Sequence, residues 1–237
     1  MSLLVVELEL RLAVARKRLF VLNVAVPLLL IMPIALSSAP TFHAAAVYTV
    51  LFVLSGTFGS AIPLVRDAEA GLLDRVLRTG LSPASYLLQR SAAGSLLDAL
   101  QLTPALVVAS VSVGAPITGL GHAWLTLAVS LWIANLLGVA VAFIARSLAE
   151  TALFSAVTTL LLLHASGVFR TPVPGSFWSG VEDASPFRAL HEATLALSTA
   201  SPSDGGMALV LWALLLPVLT TLLARPLAVS LRAARGA

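Results

Sequence analysis

The chain has 237 residues, of which 59% are hydrophobic and 11% charged, with no cysteine and a formal net charge of +3; its mean hydropathy is +1.00. Ordinary soluble domains carry about 25% charged residues, so this composition excludes a soluble globular protein and assigns the chain to a bilayer. Without cysteine, a disulfide framework, a thiolate metal site and a thiol nucleophile are also excluded, and the positive charge marks a membrane side rather than a nucleic-acid partner.

In chain order, residues 5–19 come first. Leu8, Leu12, Ala15 and Leu19 recur at helical spacing while Glu7, Arg11 and Arg18 fall on another face. This predicts an amphipathic helix lying on the membrane surface; a basic flank that only fixes topology is the other reading. A cleaved signal peptide does not fit, because the polar lead is long and the apolar run that follows exceeds the roughly 7–15 residues of a signal core.

A membrane-crossing helix needs about 20 mainly apolar residues. Cutting the chain where charge, proline and glycine interrupt such runs gives six spans, at 21–39, 44–65, 92–114, 122–145, 151–169 and 207–224. The runs are apolar on all sides, whereas the strands of a spanning barrel alternate. The expectation is an all-α integral membrane protein with six transmembrane helices, the whole of 1–237 forming one transmembrane domain.

Six spans leave both termini on one side. That side would hold Arg11, Arg16, Lys17 and Arg18, then Arg66, Arg75, Arg78 and Arg90, then Arg146, and finally Arg225, Arg232 and Arg235. Only Arg170 and Arg188 fall on the other, among Glu182, Asp183, Glu192 and Asp204. The positive-inside rule therefore puts both termini in the cytoplasm.

The loop after span two, RDAEAGLLDRVLRTGLSP at 66–83, concentrates charge between two apolar runs. Acidic Asp67, Glu69 and Asp74 alternate with Arg66, Arg75 and Arg78, and Leu72, Leu73, Val76 and Leu77 recur at helical spacing, which predicts a short amphipathic helix. Gly80 suits a left-handed exit, and Ser82 suits the cap of a helix opening at Pro83 and leading into span three. The competing reading is a solvated loop whose arginines merely hold topology.

Inside the spans, three polar side chains form a candidate substrate path. Asp98 lies near Gln101, Asn135 belongs to span four and His164 to span five. Intramembrane carboxylates are costly and functional by default, but Asp98 would sit at the inner interface if span three began late. Asn135 and His164 also suit hydrogen bonding between helices. The four histidines lack metal-ligand spacing. His164 and Ser166 stand two apart on a helix and so point away from each other, which argues against a hydrolase dyad. Asp98 also leaves open an ion-driven carrier, a class that often shows broken helices and several midplane charges.

Outer segment 170–206 mixes Pro172, Pro174, Phe177, Trp178, Pro186 and Phe187. Such a mixture suits an aromatic interfacial belt with short helices dipping into the outer leaflet.

The order acidic residue, Gly71, two leucines, Asp74, Leu77, Leu81, Ser82 and Pro83, between the second and third of six spans, resembles the membrane subunit of type-2 ATP-binding-cassette exporters. That family carries a Glu-x-Gly-Thr-Leu-Glu segment followed by Leu-Leu-x-x-Pro-Leu-Ser. Here Leu72 replaces the threonine, Asp74 stands for the second glutamate, and Gly80 sits where proline is common. SPFRALHEATLAL at 185–197 is similar to the family's Asn-Pro-Leu-x-Tyr-x-x-Glu-Ala segment, matching at Pro186, Glu192 and Ala193 with Ser185 for asparagine. Gly167 is placed like a glycine common near the end of span five.

The resemblance implies a surface helix at the N-terminus, a coupling helix at 66–83 and re-entrant external helices that include Pro186 and Glu192. It implies that Asp67, Glu69, Gly71, Leu72, Leu73, Asp74, Leu77, Ser82 and Pro83 meet a separate ATPase subunit, whose closure switches the access of the spans. No Gly-x-x-x-x-Gly-Lys-Ser/Thr segment occurs and Lys17 is the only lysine, so this chain has no phosphate-cradling loop. ATP and Mg²⁺ are expected in the partner subunit, and no cofactor or metal in this chain. A second permease copy or a related permease completes the implied unit, in the plasma (inner) membrane of a prokaryote. An amphipathic or lipid-like substrate is the expectation.

Overall fold

The computed structural model of the chain describes residues 4–170, 173, 175–199 and 206–233. The helices among them are α1 (Leu4–Ala15), α2 (Lys17–Ala35), α3 (Thr41–Glu69), α4 (Leu72–Arg78), α5 (Pro83–Ser112), α6 (Ile117–Ile144), α7 (Leu148–Ala165), α8 (Phe177–Asp183), α9 (Arg188–Thr199) and α10 (Gly206–Ala233). Six of these, α2, α3, α5, α6, α7 and α10, are long and apolar enough to cross a membrane. Each overlaps one of the six predicted runs.

Two boundaries differ from the sequence reading. The helix expected over 5–19 divides at Arg16, whose φ of −93° and ψ of 53° leave helical geometry. Its N–H still donates to the Leu12 carbonyl at 2.9 Å, so the interruption is a local kink. The stripe of Leu8, Ala15 and Leu19 is exposed, and α1 instead buries Val5 and directs Glu9 at Arg90. The second concerns span three: α5 opens at Pro83, as the Ser82–Pro83 pattern predicts, and runs without a break into the apolar run expected at 92–114. Ser82 caps it, its hydroxyl accepting the Ser85 N–H at 3.2 Å. Arg90, counted among the inner basic residues, lies on the first turns of that helix.

Helices α3 and α6 run along each other at the centre, flanked by α5, α7, α9 and α10. Gly138 permits this approach: a Cβ there would stand 2.5 Å from the Thr57 carbonyl oxygen. Small residues let helix backbones close to van der Waals contact where lipid supplies no hydrophobic drive between helices. Side-chain hydrogen bonds then tie α3 to its neighbours. Thr159 donates to Thr57 at 3.1 Å across α7 and α3, and the Thr49 and Thr194 hydroxyls meet at 3.3 Å across α3 and α9.

The interior divides into two apolar clusters. The larger joins Phe52, Leu102, Leu127, Ile133 and Phe187. The smaller lies where α1, α3, α4, α5, α6 and α10 meet, and holds Val5, Leu64, Leu73, Leu87, Val139 and Ala224. Connectivity puts α1 and α4 at one end of the bundle and α8 and α9 at the other. Trp212 of α10 donates to the Ala184 carbonyl at 2.8 Å, which fastens the α8–α9 corner to the last span.

Candidate functional site

At the α4 end, the predicted loop is a helix held between two glycines. Gly71 precedes it with φ of 75°, and Gly80 follows with φ of 87°. Both conformations are routine for glycine and strained for other residues, so the chain leaves α3, makes two turns and enters α5 within a short connection. Of the predicted coupling residues, Leu73 is turned inward and is 1% exposed, packed with Leu64, Val65 and Leu87. Leu72, Asp74, Leu77 and Pro83 are half-buried, while Glu69 and Ser82 are exposed. Arg75 and Arg78, whose spacing helped predict the helix, form the exposed basic face of α4.

Asp67 has a different partner from the one expected. Its Oδ2 lies 2.8 Å from Arg90 Nη2, and the other terminal nitrogen of Arg90 pairs with Glu9. One buried guanidinium on α5 thus links a carboxylate on α3 with one on α1. The Val5 N–H adds a bond to Gln89 Oε1 at 3.3 Å. Planar guanidinium suits such a fork of two carboxylates. Asp67 is an internal tie, and nothing in the spacing of Glu9, Asp67 and Arg90 along the chain signals the triad.

Midway along the spans lies a second polar group. Asp98 is close to the midpoint of α5, well inside the helix rather than at its end. Asn135 of α6 donates from Nδ2 to Asp98 Oδ2 at 3.0 Å and to the Leu131 carbonyl at 2.9 Å. The Ser60 hydroxyl of α3 donates to Asn135 Oδ1. Two glycines make room: a Cβ on Gly59 would stand 2.5 Å from Asp98 Oδ2, and one on Gly94 would stand 2.5 Å from Asn135 Oδ1. Ser60, Gly59 and Gly94 escaped the sequence reading; the spacing Gly56-x-x-x-Ser60, small residues one turn apart, was the available signal.

Of the predicted path residues, the structure brings Asp98 and Asn135 together. His164 stands exposed near the end of α7 and joins neither. The Ser166 hydroxyl donates to the Leu162 carbonyl at 2.7 Å and meets the Ser185 hydroxyl, which leaves it in structural use and not beside a base. Among the described residues no group of three metal-ligating side chains converges.

At the opposite end, Glu182 is 1% exposed and lies 3.0 Å from Arg170. Gly167, with φ of +74°, lets this carboxylate approach, since a Cβ would fall 2.9 Å from Glu182 Cδ. Arg188 pairs with Glu192 at 2.6 Å and with Asp183. Burial opposes its charge, but those carboxylates outweigh burial and raise its pKa. Buried His191, edge-on to Phe42 at 5.2 Å, is held below its ordinary value by burial, partly offset by the Ala45 backbone and Glu192. Pro186 is buried and Glu192 half-buried. Pro172, Pro174, Asp204 and Arg235 lie outside the described residues.

A bundle of six helices long and apolar enough to cross a membrane, with a short basic-faced helix at one end and a carboxylate midway along one span, defines a multi-pass membrane protein. A family model described as ABC-2 type transporter matches residues 6–197. The chain belongs to that family, the permease component of type-2 ABC transporters. Among curated proteins, none matches the chain.

Proposed function

We propose that this chain is the permease of an ATP-driven exporter, a single transmembrane domain over 1–237, with both termini cytoplasmic in the plasma membrane of a prokaryote. A separate ATPase subunit, which binds ATP and Mg²⁺, engages α4 and its flanks. Closure of the ATPase pair then moves α4 and changes which side of the membrane the spans open to. In this reading α1 is the interfacial helix, 66–83 the coupling element and α8–α9 the external re-entrant pair within 170–206. The functional unit pairs this chain with a second copy or a related permease, and the substrate is amphipathic or lipid-like.

The observation that carries the reading is α4 itself. A seven-residue helix is more than a span connection needs, and together with Glu69 at the end of α3 it combines an apolar inner residue with an exposed charged rim that includes Arg75 and Arg78. Leu73 and its cluster connect that rim rigidly to α3, α5 and α6. Motion imposed on α4 therefore reaches the spans without a soft link. An interface of this kind takes register from charge and affinity from a small apolar contact.

The test is copurification of the ATPase with the permease in mild detergent, with Arg75 and Arg78 both replaced by glutamate. These side chains are exposed, so the fold persists while the contact reverses its charge. We expect loss of the ATPase and of ATP-driven transport. Retention of both by the variant would overturn the coupling role. Asp98 at mid-depth supports one second reading, an ion-driven carrier. A wild-type particle that transports without any ATPase would establish that instead.

A further inference from the structure

Asp98 poses a problem of charge that the chain does not solve. Its carboxylate lies near mid-membrane and accepts from a neutral amide at 3.0 Å, and among the described residues no cationic side chain reaches it. A carboxylate at that depth is expensive unless something offsets it. Arg90 is the nearest basic residue along α5, but it is about 12 Å away at a rise of about 1.5 Å per residue. It is also already paired with Glu9 and Asp67.

The site is not sealed. Asp98 is half-buried, as are Ser55, Gly59 and Ile62 on α3 and Gly94 and Ser95 on α5. Ser55, Gly59 and Ile62 share a helical face. Gly59 lets the carboxylate pack directly against the α3 backbone, and half-buried Ser55 and Ile62 lie on the same face one turn to either side. Behind the carboxylate, Ser60 and Asn135 are closed. A second copy of the chain does not supply the missing charge, because no lysine or arginine falls at the middle of any span. A coordinated metal ion fits poorly. Asn135 presents its amide nitrogen to Asp98 and its oxygen is taken by Ser60, so the oxygen-rich cage that hard cations need is absent.

We propose that Asp98, oriented by Asn135 and Ser60 and packed against Gly59, is the binding site for the cationic group of an amphipathic organic cation. The apolar body of such a molecule lies along the half-buried face of Ser55, Gly59 and Ile62 and in the adjoining lipid. The proposal rests on the permease reading and narrows its substrate to molecules carrying an amine, a quaternary ammonium or an equivalent lipophilic cation. Asp98 is a binding residue in this scheme, and Asn135 positions it.

The test places the full chain, copurified with its ATPase, in phosphatidylcholine nanodiscs and measures equilibrium binding of tetraphenylphosphonium against the near-isosteric anion tetraphenylborate, with empty discs subtracted. We expect saturable binding of the cation alone, weakened at least about tenfold by Asp98→Asn and retained by Asp98→Glu. Absence of saturable cation binding, or binding that Asp98→Asn leaves unchanged, overturns the site. Should Asp98→Asn fail to fold, a photoactivatable aryl azide bearing a quaternary ammonium maps the site on the unaltered chain. Adducts on the peptides holding Gly59 and Asp98 support the proposal; adducts only elsewhere, or none, overturn it. The ATPase content of the same particles reports the permease reading separately. An ATPase-bound particle that ignores the cation overturns only the site, and a particle that binds the cation without an ATPase overturns only the coupling.

Discussion

Two aspartates in this chain share a chemistry and differ in everything around it. Asp67, at the end of α3, has a guanidinium 2.8 Å away that it shares with Glu9. Asp98, at the middle of α5, has only an amide. The first arrangement sets a cation between two carboxylates and holds three helices in one geometry. The second is unbalanced, and an unbalanced charge at depth is maintained only if a ligand or a proton completes it. The comparison separates a structural carboxylate from one free to take a ligand.

The largest effect is expected where balance is broken. Arg90→Met leaves the Glu9 and Asp67 carboxylates without their shared partner, and removal of one member of a buried ion pair costs about 3–5 kcal/mol. Thermal unfolding in detergent should show the loss, with α1 released to proteolysis. An unchanged midpoint would mean that water or lipid headgroups already satisfy the triad.

Leu73→Ala comes next, because a buried leucine truncated in a packed cluster costs about 2–5 kcal/mol. The variants Arg75→Glu and Arg78→Glu should stay within about 0.5 kcal/mol of the parent, as exposed substitutions do, while losing ATPase association. This pair of measurements divides α4 into a packing face and a docking face. Equal stability losses from both would erase the division.

Gly59→Ala probes the Asp98 side. Its new Cβ would crowd Asp98 Oδ2, at a cost of about 1–3 kcal/mol for overpacking. Asp98→Ala in the same chain should relieve most of it. A double-mutant cycle in thermal stability checks the coupling, and simple additivity would show that the two residues do not touch.

The smallest effect lies at the far end. Burial holds His191 below its ordinary value of 6.5, so the unfolded chain takes up the proton first as pH falls. The stability it contributes is present above about pH 6.5 and is lost progressively below. The unfolding midpoint should therefore decline between about pH 7 and about pH 5, and His191→Leu should flatten that slope. An unaltered slope would assign the acid sensitivity to other groups.

The six spans, the short helix after span two and its exit glycine Gly80 were legible in the sequence, because each rests on local physics. Apolar run length sets a crossing, spacing sets a face, and a left-handed turn calls for glycine. The Ser82 cap followed from the same local rules. Tertiary structure alone decided which side of each helix met protein. Leu73 and Leu77 are equivalent by spacing, yet Leu73 is sealed and Leu77 only half-buried. Asp67 is spaced like part of a docking rim, yet the way α3 and α5 pack sets it against Arg90. Asp98 could sit at an interface or at mid-depth according to where one helix started. Contacts between residues far apart in the chain depend on how helices cross and rotate, and hydropathy that is apolar all round carries no record of that rotation.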